Sequence, residues 1–466
     1  MKNLILLLAG LLSLSLHAQS ERPNIVFILV DDLGAMDVGF MGSEYYQTPN
    51  LDTLAQRATL FTQAYAGAAN CAPSRAILMS GQYPTRHGIY TVSPSARGKA
   101  STRRLIPTPN TKHFADSMLT LPEALKRAGY INGHFGKWHL SEDPMEQGFD
   151  VNVGGSGRGN PGKNGYWSPY NLSFLEDGPE GEYLTDRLTQ EAIKFIEAKQ
   201  DTHFFLYLPF YTVHTPLIGK PDLVAKYDSI PAKAGQGHQK HYAAMVENMD
   251  ASIGRILQTL DRLDLDNTLI IFSADNGGIA SVSRQWPLRA GKGSYYEGGI
   301  RVPLLMSWTG HIPSGERSDL PISFLDFYPS LLSLLEISVP EGKVLDGLDL
   351  SAYCKGESPS QELMERPLIW HFPIYLQAYK VGQDDGRDPL FRTRPGSVIR
   401  MGDWKLQEYF EDGGLELYNL AQDPGERINL AEAEPEQTAI LLRELQQWRE
   451  EFGAPVPSEP NPEYKP

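Results

Sequence analysis

Two acid-rich pairs stand directly after apolar runs: Asp31–Asp32 follows NIVFILV (24–30), and Asp275–Asn276 follows TLIIFSA (268–274). Three carboxylates and an amide form a hard, all-oxygen donor set that suits Ca²⁺ or Mg²⁺ better than Zn²⁺. A single Asp after a strand also serves as a helix cap, but two pairs of one design favour a metal. The second element is Cys71–Ala72–Pro73–Ser74–Arg75. Asn70 or Cys71 can cap a short helix beginning at Pro73, which sets residue 71 at the positive helix end, where an anionic nucleophile is stabilised. The same pattern equally describes a capped helix with a buried thiol. Cys71 and Cys354 are the only two cysteines, too few for a disulfide framework and wrongly spaced for zinc; one disulfide between them stays open. His214, beyond HFFLYLPF (203–210), and Lys292, between two glycines, are further candidates. Read singly, each is equally a loop residue.

Strands must carry the acid pairs. NIVFILV and TLIIFSA are continuous apolar runs of the kind buried on both faces of a parallel sheet. In such sheets ligands gather beyond the carboxyl ends of strands, so pairs on neighbouring strands converge. Between them Asn50 can cap a helix whose Leu51, Leu54, Ala55, Ala58 and Phe61 lie on one face. A capping box, Thr120 with Glu123, opens another helix that ends at Gly129. Then come the strand INGHFG, a helix around 183–199, the strand 203–210, and a long amphipathic helix over 241–263. This alternation gives an α/β fold with a large, mostly parallel sheet flanked by helices. From about residue 365 the texture changes to PLIWHF, SVIRMGDWKLQEYF and LELYNL, then a helix over 436–452 carrying Leu441, Leu445 and Trp448. That predicts a smaller C-terminal α+β domain of antiparallel sheet plus helix. The stretches 151–170 and 376–396 read as loops.

Cys-x-Pro-Ser-Arg, continued by Gly81–Gln82–Tyr83–Pro84–Thr85–Arg86–His87–Gly88, resembles the signatures of the type I, formylglycine-dependent sulfatases of the alkaline-phosphatase-like superfamily. The likeness extends through Thr48–Pro49–Asn50–Leu51–Asp52, Gly136–Lys137–Trp138–His139, His214–Thr215–Pro216, Asp275–Asn276–Gly277 and Gly298–Gly299–Ile300–Arg301–Val302–Pro303. It spans about 24–450. The resemblance implies a sulfuric ester hydrolase whose Cys71 is oxidised to formylglycine by a formylglycine-generating enzyme. It implies one divalent cation, calcium before magnesium, held by Asp31, Asp32, Asp275, Asn276 and residue 71. Arg75 and Lys137 match the cations that hold the aldehyde hydrate and the sulfate, and His139 matches the base that collapses the hydrate. His214 and Lys292 match the residues that contact sulfate and protonate the departing alcohol. The second hydroxyl of a hydrate lets the sulfated intermediate expel sulfate, which Ser or Cys could not do. The domains implied are a catalytic one over 20–360 and a C-terminal subdomain over 361–466. The competing readings are a phosphate or phosphonate monoester hydrolase of the same superfamily and a non-catalytic binder of sulfated glycans.

The 466 residues carry 42 Lys and Arg against 57 Asp and Glu, a net charge of −15, which argues against nucleic-acid binding. Yet Thr53 to Ala115 contains no acid and eight bases: Arg57, Arg75, Arg86, Arg97, Lys99, Arg103, Arg104 and Lys112. A basic rim around residue 71 fits capture of an anionic substrate by local field; a solvated loop paired with acids elsewhere fits as well. Met1–Lys2–Asn3 followed by LILLLAGLLSLSL predicts a cleaved export signal over 1–19, hence a periplasmic or secreted protein with no stable membrane insertion. Export, the basic rim and aromatics such as Trp138 and Trp167 point to a sulfated carbohydrate as substrate. His87, His113, Trp138, Trp167, Tyr296, His371 and Arg394 are candidate pocket residues.

Overall fold

The structure is a computed structural model that describes residues 22–231, 239–283 and 285–465; the export segment expected over 1–19 lies outside them. Nine strands build the main sheet: β1 (Asn24–Val30), β2 (Thr59–Tyr65), β3 (Ile131–Phe135), β4 (Val151–Val153), β5 (Phe204–Pro209), β6 (Thr268–Ala274), β7 (Arg301–Ser307), β8 (Arg317–Ser318) and β9 (Ile322–Ser323). Their order is β4-β3-β5-β1-β6-β7-β2-β8, with β9 also paired to β2. The first five in that order are parallel, and β7 runs antiparallel to both β6 and β2. Every residue of β1, β5 and β6 is buried, as their unbroken apolar runs require of strands covered on both faces. The long helix Lys240–Arg262 packs against helices Leu184–Lys199, Pro221–Asp228 and Pro49–Gln56. A second group, Cys71–Ser80, Leu121–Arg127 and Phe327–Leu334, packs together as well.

A smaller antiparallel sheet follows, built of β10 (Leu368–Phe372), β13 (Gly396–Met401), β14 (Trp404–Tyr409) and β15 (Gly414–Asn419) in that order. Helix Pro435–Glu451 lies against it, burying Leu441, Leu445 and Trp448. A two-stranded ribbon, β11 (Leu376–Gln377) with β12 (Phe391–Thr393), projects from the smaller unit. Its neighbour Tyr375 bridges to Ala96, which joins the ribbon to the basic segment. The two sheets are also tied by a buried charge hub. Lys405 of β14 lies 2.9 Å from Glu297 and 2.9 Å from Glu426, all three fully enclosed.

Four expectations change on contact with the structure. The stripe assigned to one helix from Asn50 is divided, because that helix spans Pro49–Gln56 and Phe61 lies in β2. Backbone pairing of β2 with β7 outweighs the local helical period. Asn50 is not the cap; it sits inside the helix, and Asp250 accepts its backbone N–H at 3.1 Å and that of Leu51 at 2.8 Å. The helix placed at Pro73 begins at Cys71, with Asn70 preceding it. The stretches 151–170 and 376–396 are not wholly loop, since they contain β4 and the β11–β12 ribbon. The capping box at Thr120 and Glu123 forms as expected.

Candidate functional site

Four adjacent parallel strands, β3, β5, β1 and β6, end along one edge of the sheet, and the residues just beyond them face a common point. Asp31 and Asp32 follow β1, and Asp275 and Asn276 follow β6. Lys137 and His139 follow β3, and His214 lies beyond β5. Asp32 takes the left-handed backbone conformation, which turns the chain sharply at the strand end and lets its N–H donate to Asp275 at 3.2 Å. Gly136 is required at the end of β3, because a Cβ there would sit 2.1 Å from the Pro209 carbonyl. That close approach lets the Lys137 N–H donate to Pro209 at 2.7 Å. Cys71 and Arg75 come from the helix Cys71–Ser80, where a spacing of four residues puts both on one face. Lys292 comes from the loop before β7.

One donor atom each from Asp31, Asp32, Cys71 and Asp275 lies within 4.8 Å of every other, and all four residues are buried. The Cys71 Sγ is 3.5 Å from Asp31 and 3.9 Å from Asp32. Asn276 Nδ2 donates to Asp32 at 2.9 Å, while its Oδ1 is buried without a hydrogen-bond partner. Three cations surround the carboxylates. Lys137 donates to Asp31 at 2.7 Å, Lys292 to Asp32 at 2.7 Å, and Arg75 Nε to Asp275 at 2.8 Å. Arg75 also donates to the Lys137 carbonyl at 2.6 Å and keeps its Nη2 buried and unpaired. His214 Nδ1 donates to the Thr215 carbonyl at 2.7 Å, so in the neutral ring Nε2 carries the lone pair; it lies 3.8 Å from Asp32. His139 has a left-handed backbone, and its Nδ1 is buried and unpaired.

Electrostatics follow from burial with few neutralising groups. Burial pushes Asp31 up to about 8, because Lys137 and Arg75 together do not offset the loss of water and the charges of Asp275 and Asp32. Asp32 is held below the ordinary range because Lys292, His214 and Lys137 outweigh its burial. Burial pushes the Cys71 thiol up to about 12 despite Lys137 and Lys292. Burial and Lys292 lower His214 to about 3, and burial with Lys137 and Arg75 keeps His139 well below its usual value. Both rings are neutral, while Lys137 and Lys292 are held charged against burial, chiefly by Asp31 and Asp32 respectively.

The donor set fits a hard divalent cation on two counts. Asn276 Oδ1 is a buried acceptor without a partner, and donor atoms of Asp31, Asp32, Asp275 and residue 71 converge within 4.8 Å of one another. Three carboxylates balance Arg75, Lys137 and Lys292, so a dication would leave the centre about two units positive, a setting for an anionic group.

Above the cluster opens a cavity of about 390 Å³, lined in part by Cys71, His139, His214 and Lys292. All six expected catalytic residues and Asp31, Asp32, Asp275 and Asn276 are therefore gathered at one place. The expected pocket residues fare differently: of seven, His113 alone lines this cavity. Trp138 is buried, donating to Ser141 and packing on His134 and Phe149. His87 packs on Phe114, and Trp167 packs on Tyr183. Tyr296 hydrogen-bonds to Glu416, His371 lies between Ser397 and the Pro455 carbonyl, and Arg394 pairs with Asp388 and Glu411. Aromatic and basic identity did not discriminate core from pocket. Missed altogether were Asn160, Tyr379 and Arg392, which also line the cavity. The basic segment divides as well: Arg97 and Lys112 reach the cavity, whereas Arg57, Arg86 and Arg104 contact Asp261, Asp346 and Tyr464. Cys71 and Cys354 are both free and buried, so the disulfide between them does not form.

Comparison with known proteins places the site in context. The family model described as Sulfatase matches residues 23–337, and that of the N-sulphoglucosamine sulphohydrolase C-terminal region matches 291–451. A sulfatase of Formosa agariphila is 32% identical, with 94% of this chain and 90% of the relative covered. The N-acetylgalactosamine-6-sulfatase of Mus musculus is 31% identical over 98% of this chain and 91% of its own. The solved structure of Ps i-CgsB in complex with k-i-k-neocarrahexaose has a TM-score of 0.75 at 31% identity, covering 94% of this chain and 95% of that one.

Proposed function

The chain belongs to the sulfatase family and is a sulfuric ester hydrolase; from that premise we propose that it removes O-sulfate groups from a sulfated carbohydrate after export from the cytoplasm. The observation that carries the reading is the buried donor set of Asp31, Asp32, Cys71 and Asp275, ringed by Arg75, Lys137 and Lys292 at the floor of a cavity. The carbohydrate is supported by a relative named N-acetylgalactosamine-6-sulfatase and by the solved structure of Ps i-CgsB in complex with k-i-k-neocarrahexaose. Export is supported by the sequence of residues 1–19; among the described residues no helix is long and apolar enough to cross a membrane.

Asp31, Asp32, Asp275, Asn276 and residue 71 would hold one divalent cation, calcium before magnesium, which supplies positive charge opposite the sulfuryl oxygens. The Cys-x-Pro-Ser-Arg pattern supports conversion of Cys71 to formylglycine by a dedicated maturation enzyme. A hydrated aldehyde there would supply an attacking oxygen and a second hydroxyl through which sulfate could leave. The chain's own groups do the rest. Arg75 fixes Asp275 and the Lys137 carbonyl, which sets helix Cys71–Ser80 against the end of β3. Lys137 and Lys292 keep their charge beside Asp31 and Asp32, so neither is spent before an anionic ester enters. Lys292 holds a proton at Nζ for the departing sugar oxygen. His214, with Nδ1 committed to Thr215, turns Nε2 to the cavity wall as an acceptor or, once protonated, a donor. His139 is a neutral ring available to take a proton from residue 71.

The test is release of inorganic sulfate from defined sulfated mono- and disaccharides, beside release of phosphate from the matching phosphate esters. Sulfate release at much the higher kcat/KM is expected. Preferred phosphate turnover, or tight binding of every sulfated sugar without turnover by verified formylglycine protein, overturns the reading.

A further inference from the structure

The wall of the cavity above Cys71 contains no carboxylate among its lining residues, yet it holds four cationic side chains: Arg97, Lys112, Lys292 and Arg392. Lys292 is accounted for by Asp32. The other three have no carboxylate within 4.0 Å among the described residues. For exposed Lys112 that is ordinary. For Arg392 it is not, because this residue is only 7% exposed. Enclosing a charge without a contacting counter-charge is unfavourable, so a fold keeps such a group where a ligand completes it.

Arg392 is nevertheless firmly built. Its Nε donates to the Gln377 carbonyl at 3.0 Å and its Nη1 to the Lys292 carbonyl at 3.0 Å. Tyr379 covers one face of the guanidinium at 3.7 Å. Gly293 admits the side chain, since a Cβ there would meet Nη1 at 2.7 Å. Asp384 feels the charge from further away; its Oδ2 accepts from the Tyr379 N–H at 2.8 Å, and its buried Oδ1 has no hydrogen-bond partner. The remaining amino group, Nη2, has no partner among the described residues. Arg97 stands across the same opening with one amino group on the carbonyls of Val92 and Ser93 and its Nε and Nη1 uncommitted. Arg103 braces that loop through the carbonyls of Arg97 and Gly98. The two guanidiniums repel: burial and the charge of Arg392 both lower Arg97. An oxyanion between them would remove that repulsion and satisfy both sets of free donors.

We propose that Arg97 and Arg392 form a second anion subsite, separate from the sulfuryl centre at Cys71, so that the preferred substrate carries another oxyanion beside the sulfate ester being cleaved. The subsite rests on the hydrolase reading and narrows it to doubly charged carbohydrates. The extra group is a second sulfate or a carboxylate, both planar or tripodal acceptors suited to guanidinium.

The experiment measures kcat/KM for three substrates: a sugar with one sulfate ester, the same sugar with a second sulfate, and a disaccharide joining it to a uronic acid. Wild type, R97Q, R97K and R392Q are compared, each first checked for a native melting transition. The quantity read is the ratio of doubly to singly charged substrate, which cancels any general loss from disturbing the Lys292 carbonyl. Wild type should favour at least one doubly charged substrate, and the ratio should fall by about tenfold or more in R97Q and R392Q, the loss expected for one charge-assisted hydrogen bond. R97K should retain part of it. Which doubly charged arm is favoured identifies the group as sulfate or carboxylate. A wild-type ratio near one, or a ratio unchanged in both glutamine variants, overturns the subsite alone. Failure of wild type to cleave any of the three overturns the hydrolase reading and the subsite with it.

Discussion

Replacing Lys405 by Met should expose how strongly one buried charge holds the two sheets together. Lys405 lies 2.9 Å from Glu297 and 2.9 Å from Glu426, with all three side chains shut off from water. Glu297 also accepts from Tyr65 at 2.7 Å, and its N–H donates to Glu426 at 2.6 Å, so the hub reaches from β14 into the segment following Lys292. Met matches the length of the lysine stem, so packing changes little and the lost term is charge. Removing one partner of a buried pair costs about 3–5 kcal/mol, because the carboxylates stay enclosed without their cation. The pH dependence gives a second handle. In the wild type, burial pushes Glu297 upward, but Lys405, Arg301 and Arg400 outweigh it and hold the carboxyl at about 2. Its contribution is present above the unfolded value near 4.5 and is lost as pH falls through 2. Burial and the charge of Glu297 push Glu426 up to about 7, so its contribution is present below the unfolded value and lost as pH rises through 7. Without Lys405 both carboxyls shift upward and the variant binds more protons than wild type near neutrality. The penalty of K405M should therefore grow from pH 6 to pH 8. Urea denaturation of both proteins at the two pH values, read as a midpoint shift at constant slope, measures it. A loss below about 1 kcal/mol that does not change with pH would refute the hub's role.

Peptide mass spectrometry of active protein should find an aldehyde at residue 71, and Cys71→Ser should lack multiple turnover because a serine sulfate has no second hydroxyl. Chelation should abolish activity while leaving the melting transition of the large core, and Asp275→Ala, which also strips Arg75 of its partner, should not recover with added calcium or magnesium. Lys292→Ala should slow a sugar sulfate more than an activated aryl sulfate, by a ratio within the ~10²–10⁴-fold that general acid assistance supplies; equal losses would assign Lys292 to sulfate binding instead. Trp448→Ala should cost ~3–5 kcal/mol in denaturation, since the buried ring packs edge-on against Tyr83 and stacks on Phe452.

The parts of the fold that were legible share a cause. NIVFILV and TLIIFSA announce themselves because strands covered on both faces need unbroken apolar runs, and the acids after them then fall at the sheet's carboxyl edge. Cys71 and Arg75 were legible through the Cys-x-Pro-Ser-Arg pattern, although the helix that carries both begins two residues before the expected start. Phe61 was misread because a helical stripe can run on past a helix end, and only pairing with β7, distant in sequence, reveals the strand. Arg392 and Tyr379 left no local sign at all. They reach the cavity on a ribbon whose position depends on the Ala96–Tyr375 bridge, a contact between the two halves of the chain. Charge counting found the basic segment but could not tell Arg97, with no acid beside it, from Arg86, which Asp346 neutralises.

The position of β1 in the sheet has a consequence for how the protein is made. Among the described residues it is the first strand in the chain, it is apolar from Ile25 to Val30, and it lies between β5 and β6. Ile25 pairs with Phe205, and Asn24 with Thr268. At a synthesis rate of ~5–20 residues per second, the second of these partners emerges tens of seconds after β1 does. Until then a nascent or truncated chain carries an apolar strand with an open edge, the kind of surface that pairs with other chains. Truncations ending before Thr268 should therefore aggregate rather than yield a smaller folded unit.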